Sequence, residues 1–287
     1  MPVTAVQHFA RMRGGAQAQL LLASDGHYYI VKFQNNPQHR RILANELLAE
    51  VLLRHLKLPT PPGEIVEVSE ALIAATPALC MEAGGARVPC SPGLQFGSRY
   101  PGDPARVPVY DYVPDALLRQ VVNADCFLGM VAFDKWVSNA DGRQAIFFRD
   151  QIARWRCGQA PPGASEENPG SRKDERGFVA VMIDHGFAFT AHHWTFRDAP
   201  QIGIYPRPWV YERVTGYDSF EPWLGWITEF SLDVLDDAFK RIPPEWYDSD
   251  MPALESLLEQ LYCRRARVPD LVRSAKRALR DPFPNWR

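Results

Sequence analysis

The 287-residue sequence has no long uncharged apolar run, no surplus of one charge and no closely spaced cysteines. Each absence removes a class of protein. No segment approaches the ~18 consecutive apolar residues of a membrane-spanning helix. The start, Met1-Pro2-Val3-Thr4-Ala5-Val6, carries no basic region followed by an apolar stretch of the export type. These readings predict a soluble, cytoplasmic protein with no membrane partner. With Lys+Arg 32 against Asp+Glu 34, the formal net charge is -2, so the basic surplus with which nucleic-acid binders neutralise phosphates is missing. No nucleic-acid partner is expected. The five cysteines, Cys80, Cys90, Cys126, Cys157 and Cys263, are odd in number and scattered; they lack the spacing of zinc or redox motifs and read as reduced thiols. The pair His192-His193 has no cysteine nearby and reads as loop histidines, not metal ligands.

What the sequence does have is an apolar share of 46%, enough for a sizeable core in one two-part unit or two modest domains. From Val6 to Phe33 it reads as a three-strand meander, with turns at Gly14-Gly15 and Ser24-Asp25-Gly26. Asn35-Asn36-Pro37 opens a helix from about Gln38 to Leu56, whose apolar residues recur at helical spacing until Leu58-Pro59-Thr60-Pro61-Pro62-Gly63 stops it. A short strand over Glu64 to Val68 and a helical turn over Glu70 to Ala75 follow. The Gly/Pro-punctuated stretch from Gly84 to Pro101 is read as the crossing to a second part. There a long helix from Pro114 to Val137 is predicted. Strands at Ala145 to Phe148 and Phe178 to Ile183 bracket a polar stretch, Gly158 to Arg176, read as a mobile hairpin insert. Three helices close the sequence, over Leu232 to Arg241, Met251 to Arg264 and Pro269 to Leu279.

Period-two alternation in Tyr28 to Phe33 puts Lys32 on the face of Tyr28 and Ile30. Such a lysine either guards a strand edge or holds the α- and β-phosphates of a nucleotide. In the second case it needs a carboxylate partner. Glu50 has Arg54 four residues on, an ordinary surface pairing, whereas Glu46 has no cation at helical offsets and is the better candidate. Upstream, Gly14, Gly15, Ala16 and Gln17 form a small-residue loop between strands, either a plain turn or a cradle whose backbone N-H groups meet phosphate oxygens. Asp141 follows the long helix, and Asp184 ends a strand just before His185-Gly186. Either alone reads as a turn residue; together, across a β-hairpin, they have the order of catalytic and metal-binding aspartates.

The set Gly15-Ala16-Gln17, Val31-Lys32-Phe33, Asn45-Glu46, Asn139-Ala140-Asp141-Gly142 and Ile183-Asp184-His185-Gly186 resembles HipA-like kinases, and more distantly phosphatidylinositol kinases, over roughly residues 10 to 190. The resemblance implies an α+β, bilobal protein-kinase-like fold. Residues 1-105 would form a small antiparallel-sheet, nucleotide-binding N-lobe and residues 106-287 a mainly helical catalytic C-lobe. It implies ATP and Mg²⁺ as cofactors, with Lys32 and Glu46 as the nucleotide-positioning ion pair, Asp141 as the base for an acceptor hydroxyl and Asp184 as a metal ligand. The expected acceptor is Ser or Thr of a protein. Two departures stand out. Ile146 occupies the place of the family's second metal-binding asparagine, so a shortened loop would bring Gln144 there, with Asn139 a second candidate. The register pairing Asp134 with Asn139 ranks lower, because Asp134 falls inside the helix. The chain also starts without the N-terminal subdomain of the longer toxins of this kind, so toxin activity is not implied. An ATP-binding pseudokinase or interaction module, and an enzyme transferring AMP, are the alternatives.

Overall fold

The computed structural model describes residues 1–155 and 175–287. Most of the expected hairpin insert, Gly158 to Arg176, lies outside the described residues.

The meander forms as the turn signals require. Strands β1 (Val3–Arg11), β2 (Gln19–Ala23) and β3 (Tyr28–Lys32) pair antiparallel in sequence order. Helix α1 (Arg41–His55) then leads to β4 (Gly63–Val68) and to α2 (Glu70–Ala75), whose Ser69 hydroxyl accepts from the Leu72 N-H. Strand β5 (Cys80–Ala83) precedes the stretch read as a crossing, which itself holds two strands, β6 (Ala86–Pro89) and β7 (Gly93–Arg99). Gly84 and Gly85 turn the β5-β6 hairpin with φ of 58° and 82°, the left-handed region that glycine enters without strain. β7 inserts between β3 and β4, and a parallel contact of β1 with β4 closes a barrel of order β1-β2-β3-β7-β4. Its filling is apolar, with Leu21, Tyr29, Val31, Phe33 and Val66 at 2% exposure or less. The odd positions of β3 therefore face inward. Tyr28, Ile30 and Lys32 lie on the other face, as alternation demands.

The expected long helix is broken. A short α3 (Asp115–Leu118) precedes α4 (Cys126–Val137), and the residues between do not continue the helix. Asn123 explains the break, because its side chain mimics a strand. Its Oδ1 accepts from Ala180 N-H and its Nδ2 donates to Ala180 O, both at 2.8 Å, and the Val122 N-H donates to Phe178 O. Strands β8 (Gln144–Gln151) and β9 (Arg176–Ile183) form an antiparallel hairpin with Gln144 opposite Ile183. Helices α5 (Trp223–Thr228), α6 (Leu232–Arg241), α7 (Met251–Arg264) and α8 (Val268–Ser274) complete the fold. All twelve residues of α4 are buried, and its apolar side chains join α1 and the later helices in one core. Among the described residues no helix is long and apolar enough to cross a membrane. Cys80, Cys90 and Cys263 are free thiols, but Cys126 is disulfide-bonded, which corrects the reading of all five as reduced.

Candidate functional site

The seam between the barrel and the β8-β9 hairpin gathers residues far apart in sequence. Lys32 ends β3 with its Nζ donating to Glu46 Oε1 on α1 and, at 2.7 Å, to Asp184 Oδ1 just after β9. Lys32 and Glu46 are 12% and 2% exposed and Asp184 33%. Burial disfavours the ammonium, but the charges of Glu46 and then Asp184 outweigh it and raise the Lys32 pKa above the ordinary lysine value. For Asp184 burial pulls upward instead, while the Lys32 charge and hydrogen bond, helped by Arg143 and Gln144, bring the carboxyl below its ordinary value. Both groups are therefore charged at neutral pH. Glu46 Oε1 also accepts the backbone N-H of His185 at 3.0 Å, tying α1 to the turn that carries Asp184.

Asp184 has a φ of 60°, which aspartate tolerates better than most residues. Its Oδ2 accepts from Gln144 Nε2 at 3.1 Å, and the same nitrogen donates to Asp141 Oδ2 at 3.3 Å. One amide thus spans the two aspartates. Asp141 is exposed, with Oδ1 accepting the Gly142 N-H. Asn139 is 1% exposed and fully engaged: Nδ2 donates to Asp134 Oδ1 at 3.0 Å, and Oδ1 accepts the Asp141 N-H. Ile146 sits on β8 against a small apolar cluster with Phe148, Val179 and Val181, where it cannot bind a cation.

The loop Gly14 to Gln17 closes on itself, with the Gln17 N-H donating to Gly14 O. Gly14 has a φ of 118°. A Cβ on Gly15 would lie 2.6 Å from Gln38 Nε2, so the loop packs against the approach to α1. Ala16 is buried in the main core, and the Gln17 amide pairs both ways with the Glu82 backbone on β5. Among the described residues, none of the four hydrogen-bonds to Lys32, Asp141 or Asp184.

Several residues hold the site in roles that the sequence did not assign them, and Arg143 went unremarked. Asp134, 0% exposed, accepts from Arg143 Nε at 2.9 Å and Nη2 at 2.5 Å. Arg143 Nη1 donates to Ile183 O at 2.9 Å and to His185 Nδ1 at 3.2 Å. Arginine cannot accept, so Nδ1 is the bare nitrogen and His185 is the Nε2-H tautomer, within 3.5 Å of Thr60 Oγ1. Burial, then the charges of Arg143 and Lys32, hold the His185 pKa well below the ordinary histidine value. It is neutral. Asn45, 0% exposed, donates to the carbonyls of Gly186, Ala188 and Ala191 and accepts from the Trp194 indole N-H, pinning the chain after Asp184 to α1. A charged pair inside an otherwise apolar helix-and-loop segment was the available signal for Asp134 and Arg143. Glu50 also departs from its surface reading. It is 1% exposed, burial raises its pKa against the pull of Arg54, and its Oε2 has no hydrogen-bond partner among the described residues.

A cleft of ≈ 560 Å³ opens farther along the same seam, lined by Tyr28, Pro62, Arg99, Tyr100, Phe148 and Val181. It does not reach the charged cluster. Lys32 lies four residues beyond Tyr28 on β3 and Asp184 three beyond Val181, about 13 Å and 10 Å at the rise of a strand.

Residues 6–146, which carry Lys32, Glu46, Asp141 and Gln144, match a family model described as HipA-like kinase. The match covers just under half of the chain, and over those residues the chain is similar to HipA-like kinases. The matched segment of this HipA-like chain ends before Asp184, which joins the site only through the fold. No curated protein matches the chain. Among solved structures, "Crystal structure of the golgi casein kinase" aligns with a TM-score of 0.48 and 14% identity, covering 97% of this HipA-like chain and 73% of that one. "Crystal structure of the Golgi casein kinase with Mn/ADP bound" aligns with a TM-score of 0.46 and 12% identity, covering 96% and 72%.

Proposed function

We propose that this HipA-like chain is an ATP-dependent phosphotransferase that moves the γ-phosphoryl group to a hydroxyl, with Ser or Thr of a protein as the acceptor. One observation carries the reading: Lys32 is bonded to Glu46 and Asp184 at once, while Gln144 links Asp184 to Asp141. In that arrangement Lys32 meets the α- and β-phosphates, Glu46 fixes the ammonium, and Asp141 orients and deprotonates the acceptor hydroxyl. The loop Gly14 to Gln17 is assigned the covering of the phosphates on its position before β3 alone. The cleft beside Tyr28 and Val181 supports a nucleotide lying lengthwise along the seam, phosphates at the Lys32 end. In this reading the division between a nucleotide-binding and a catalytic part falls near residue 105.

The donor set fits Mg²⁺. Among the described residues no three His, Cys, Asp or Glu side chains form a preassembled cage. That suits an ion usually held by one or two carboxylates together with phosphates and waters. Asp184 Oδ2 and the Gln144 amide oxygen, presented after an amide flip, would hold it. Asn139 ranks behind Gln144 because both ends of its amide are engaged. When bound, the ion would supply positive charge against the negative charge of the phosphates.

The test is transfer of label from [γ-³²P]ATP to protein in a mixed lysate and to the chain itself. Wild type transfers label, and Asp141→Ala and Asp184→Ala do not. No transfer by wild type, with Mg²⁺-dependent ATP binding retained, would instead mark a pseudokinase, the reading that Ile146 in place of the family's asparagine favours. Label arriving from [α-³²P]ATP would mark AMP transfer.

A further inference from the structure

Arg143 lies between Asp141 and Gln144 and β8, yet its guanidinium turns away from the open site and is 3% exposed. One edge of the fork grips Asp134 on α4 through Nε and Nη2. The remaining nitrogen, Nη1, reaches the two residues that flank Asp184, namely the carbonyl of Ile183 and the ring of His185. We propose that Arg143 is a positioning residue, whose guanidinium fixes the Asp141 loop and the Asp184 turn at a set separation. The inference rests on the phosphotransferase reading and adds to it a residue that touches neither nucleotide nor acceptor.

Three observations support it. First, Asp134 anchors the Asp141 loop from both sides, through Asn139 Nδ2 before Asp141 and through Arg143 after it. The Asp141 N-H is in turn held by Asn139 Oδ1, so the loop geometry follows from a carboxylate buried in a rigid helix. Second, Asp184 has a left-handed φ of 60° and keeps it because its neighbours are fixed. Arg143 holds Ile183 O, and Glu46 accepts the His185 N-H. Third, neutralising a buried aspartate needs only the Nε and Nη2 edge. The Nη1 bonds exceed that need, and they are the ones that cross from one half of the site to the other. A lysine can supply the charge but not the planar fork. The His185 ring is contacted at both nitrogens, by Arg143 Nη1 at 3.2 Å and by Thr60 Oγ1 at 3.5 Å, so it extends the bridge toward Thr60.

The experiment compares wild type with Arg143→Lys, which keeps the charge beside Asp134, and with the paired neutral variant Asp134→Asn/Arg143→Gln, which avoids an unpaired buried charge. The readouts are [γ-³²P]ATP transfer to lysate protein at varied ATP and Mg²⁺, and the thermal midpoint of each variant. Because a misplacement of about 1 Å can cost about a hundredfold in rate, the maximal rate of Arg143→Lys is expected to fall about hundredfold. The Mg²⁺ concentration for half-maximal rate should rise about tenfold, in line with the loss of groups that orient metal ligands, and the fold should be retained. A purely stabilising arginine would lower the midpoint and leave rate and Mg²⁺ requirement of the folded fraction unchanged, and that result overturns the inference. The paired variant, if folded, shows the same two kinetic losses, and wild-type kinetics in it overturn the inference equally. Should wild type neither transfer label nor bind Mg²⁺ and ATP, the phosphotransferase reading fails, and this inference with it.

Discussion

Replacing Lys32 by methionine exposes how the charged cluster is balanced. In the wild type the ammonium serves two carboxylates of unequal surroundings, Glu46 at 2% exposure and Asp184 at 33%. Without Lys32, Asp184 rehydrates, but Glu46 is left buried with the His185 N-H as its remaining hydrogen-bond donor among the described residues. Removing one member of a buried pair costs about 3–5 kcal/mol, because the other charge stays behind uncompensated. Glu46→Gln is milder: the amide oxygen still accepts from His185, and Lys32 keeps Asp184. The loss is then that of one charged hydrogen bond, about 1.5–3 kcal/mol. The double variant Lys32→Met/Glu46→Gln leaves no stranded charge and should be about 2 kcal/mol more stable than Lys32→Met alone. Urea denaturation at pH 7, followed by tryptophan fluorescence, measures all three. In a parallel thermal scan, at about 2–4 °C per kcal/mol for a chain near this size, the Lys32→Met midpoint drops by roughly 10 °C and the double variant recovers part of it. Additive effects of the two single changes, or a Lys32→Met as stable as Glu46→Gln, would refute the reasoning.

Asp141→Asn leaves stability and nucleotide affinity unchanged, since the side chain is exposed, and slows transfer by about 10²–10⁴, the usual weight of a general base; steady-state transfer assays decide it. Gln144→Leu raises the Mg²⁺ requirement about tenfold or more, read from the rate against Mg²⁺ concentration, whereas Gln144→Asn recovers part of the loss. Asn45→Ala strands three carbonyls and the Trp194 indole N-H, costs about 3 kcal/mol, and lowers the thermal midpoint in scanning calorimetry. The depressed pKa of His185 sets a pH dependence: the unfolded chain takes up a proton near pH 6.5 and the folded chain well below. Its share of stability is therefore complete above pH 6.5 and is lost on acidification at about 1.4 kcal/mol per pH unit. Denaturation of His185→Gln between pH 7 and 5.5 should show a mean slope shallower than wild type by about 0.8 kcal/mol per pH unit, because the unfolded imidazole is only partly protonated over much of that window.

The placement of Lys32 and Glu46 was legible because each followed from a short-range rule. Alternation in Tyr28 to Phe33 gave the face of Lys32, and helical offsets singled out Glu46 over Glu50; the structure brings Lys32, Glu46 and Asp184 into direct contact. Tertiary pairing was harder to read. β7 carries Gln95, Gly97 and Ser98 among few apolar residues and gave no strand signal, although it is the strand that joins β3 to β4 in the barrel. The break between α3 and α4 depends on Asn123 meeting Ala180, a partner 57 positions away that no local pattern announces. The same limit hid Arg143, whose partners Asp134, Ile183 and His185 lie on a helix, a strand end and a turn. Glu50 reads as half of a surface pair with Arg54, yet packing of α1 against Gly63 and Phe96 buries its carboxylate.

Titration calorimetry of ATP into the whole chain, with and without Mg²⁺, tests most directly whether these charged side chains hold one nucleotide. Wild type is expected to bind ATP more tightly with Mg²⁺, and Asp184→Asn to bind it with no response to Mg²⁺. Absence of ATP binding under both conditions, or an Asp184→Asn response equal to wild type, would contradict this expectation.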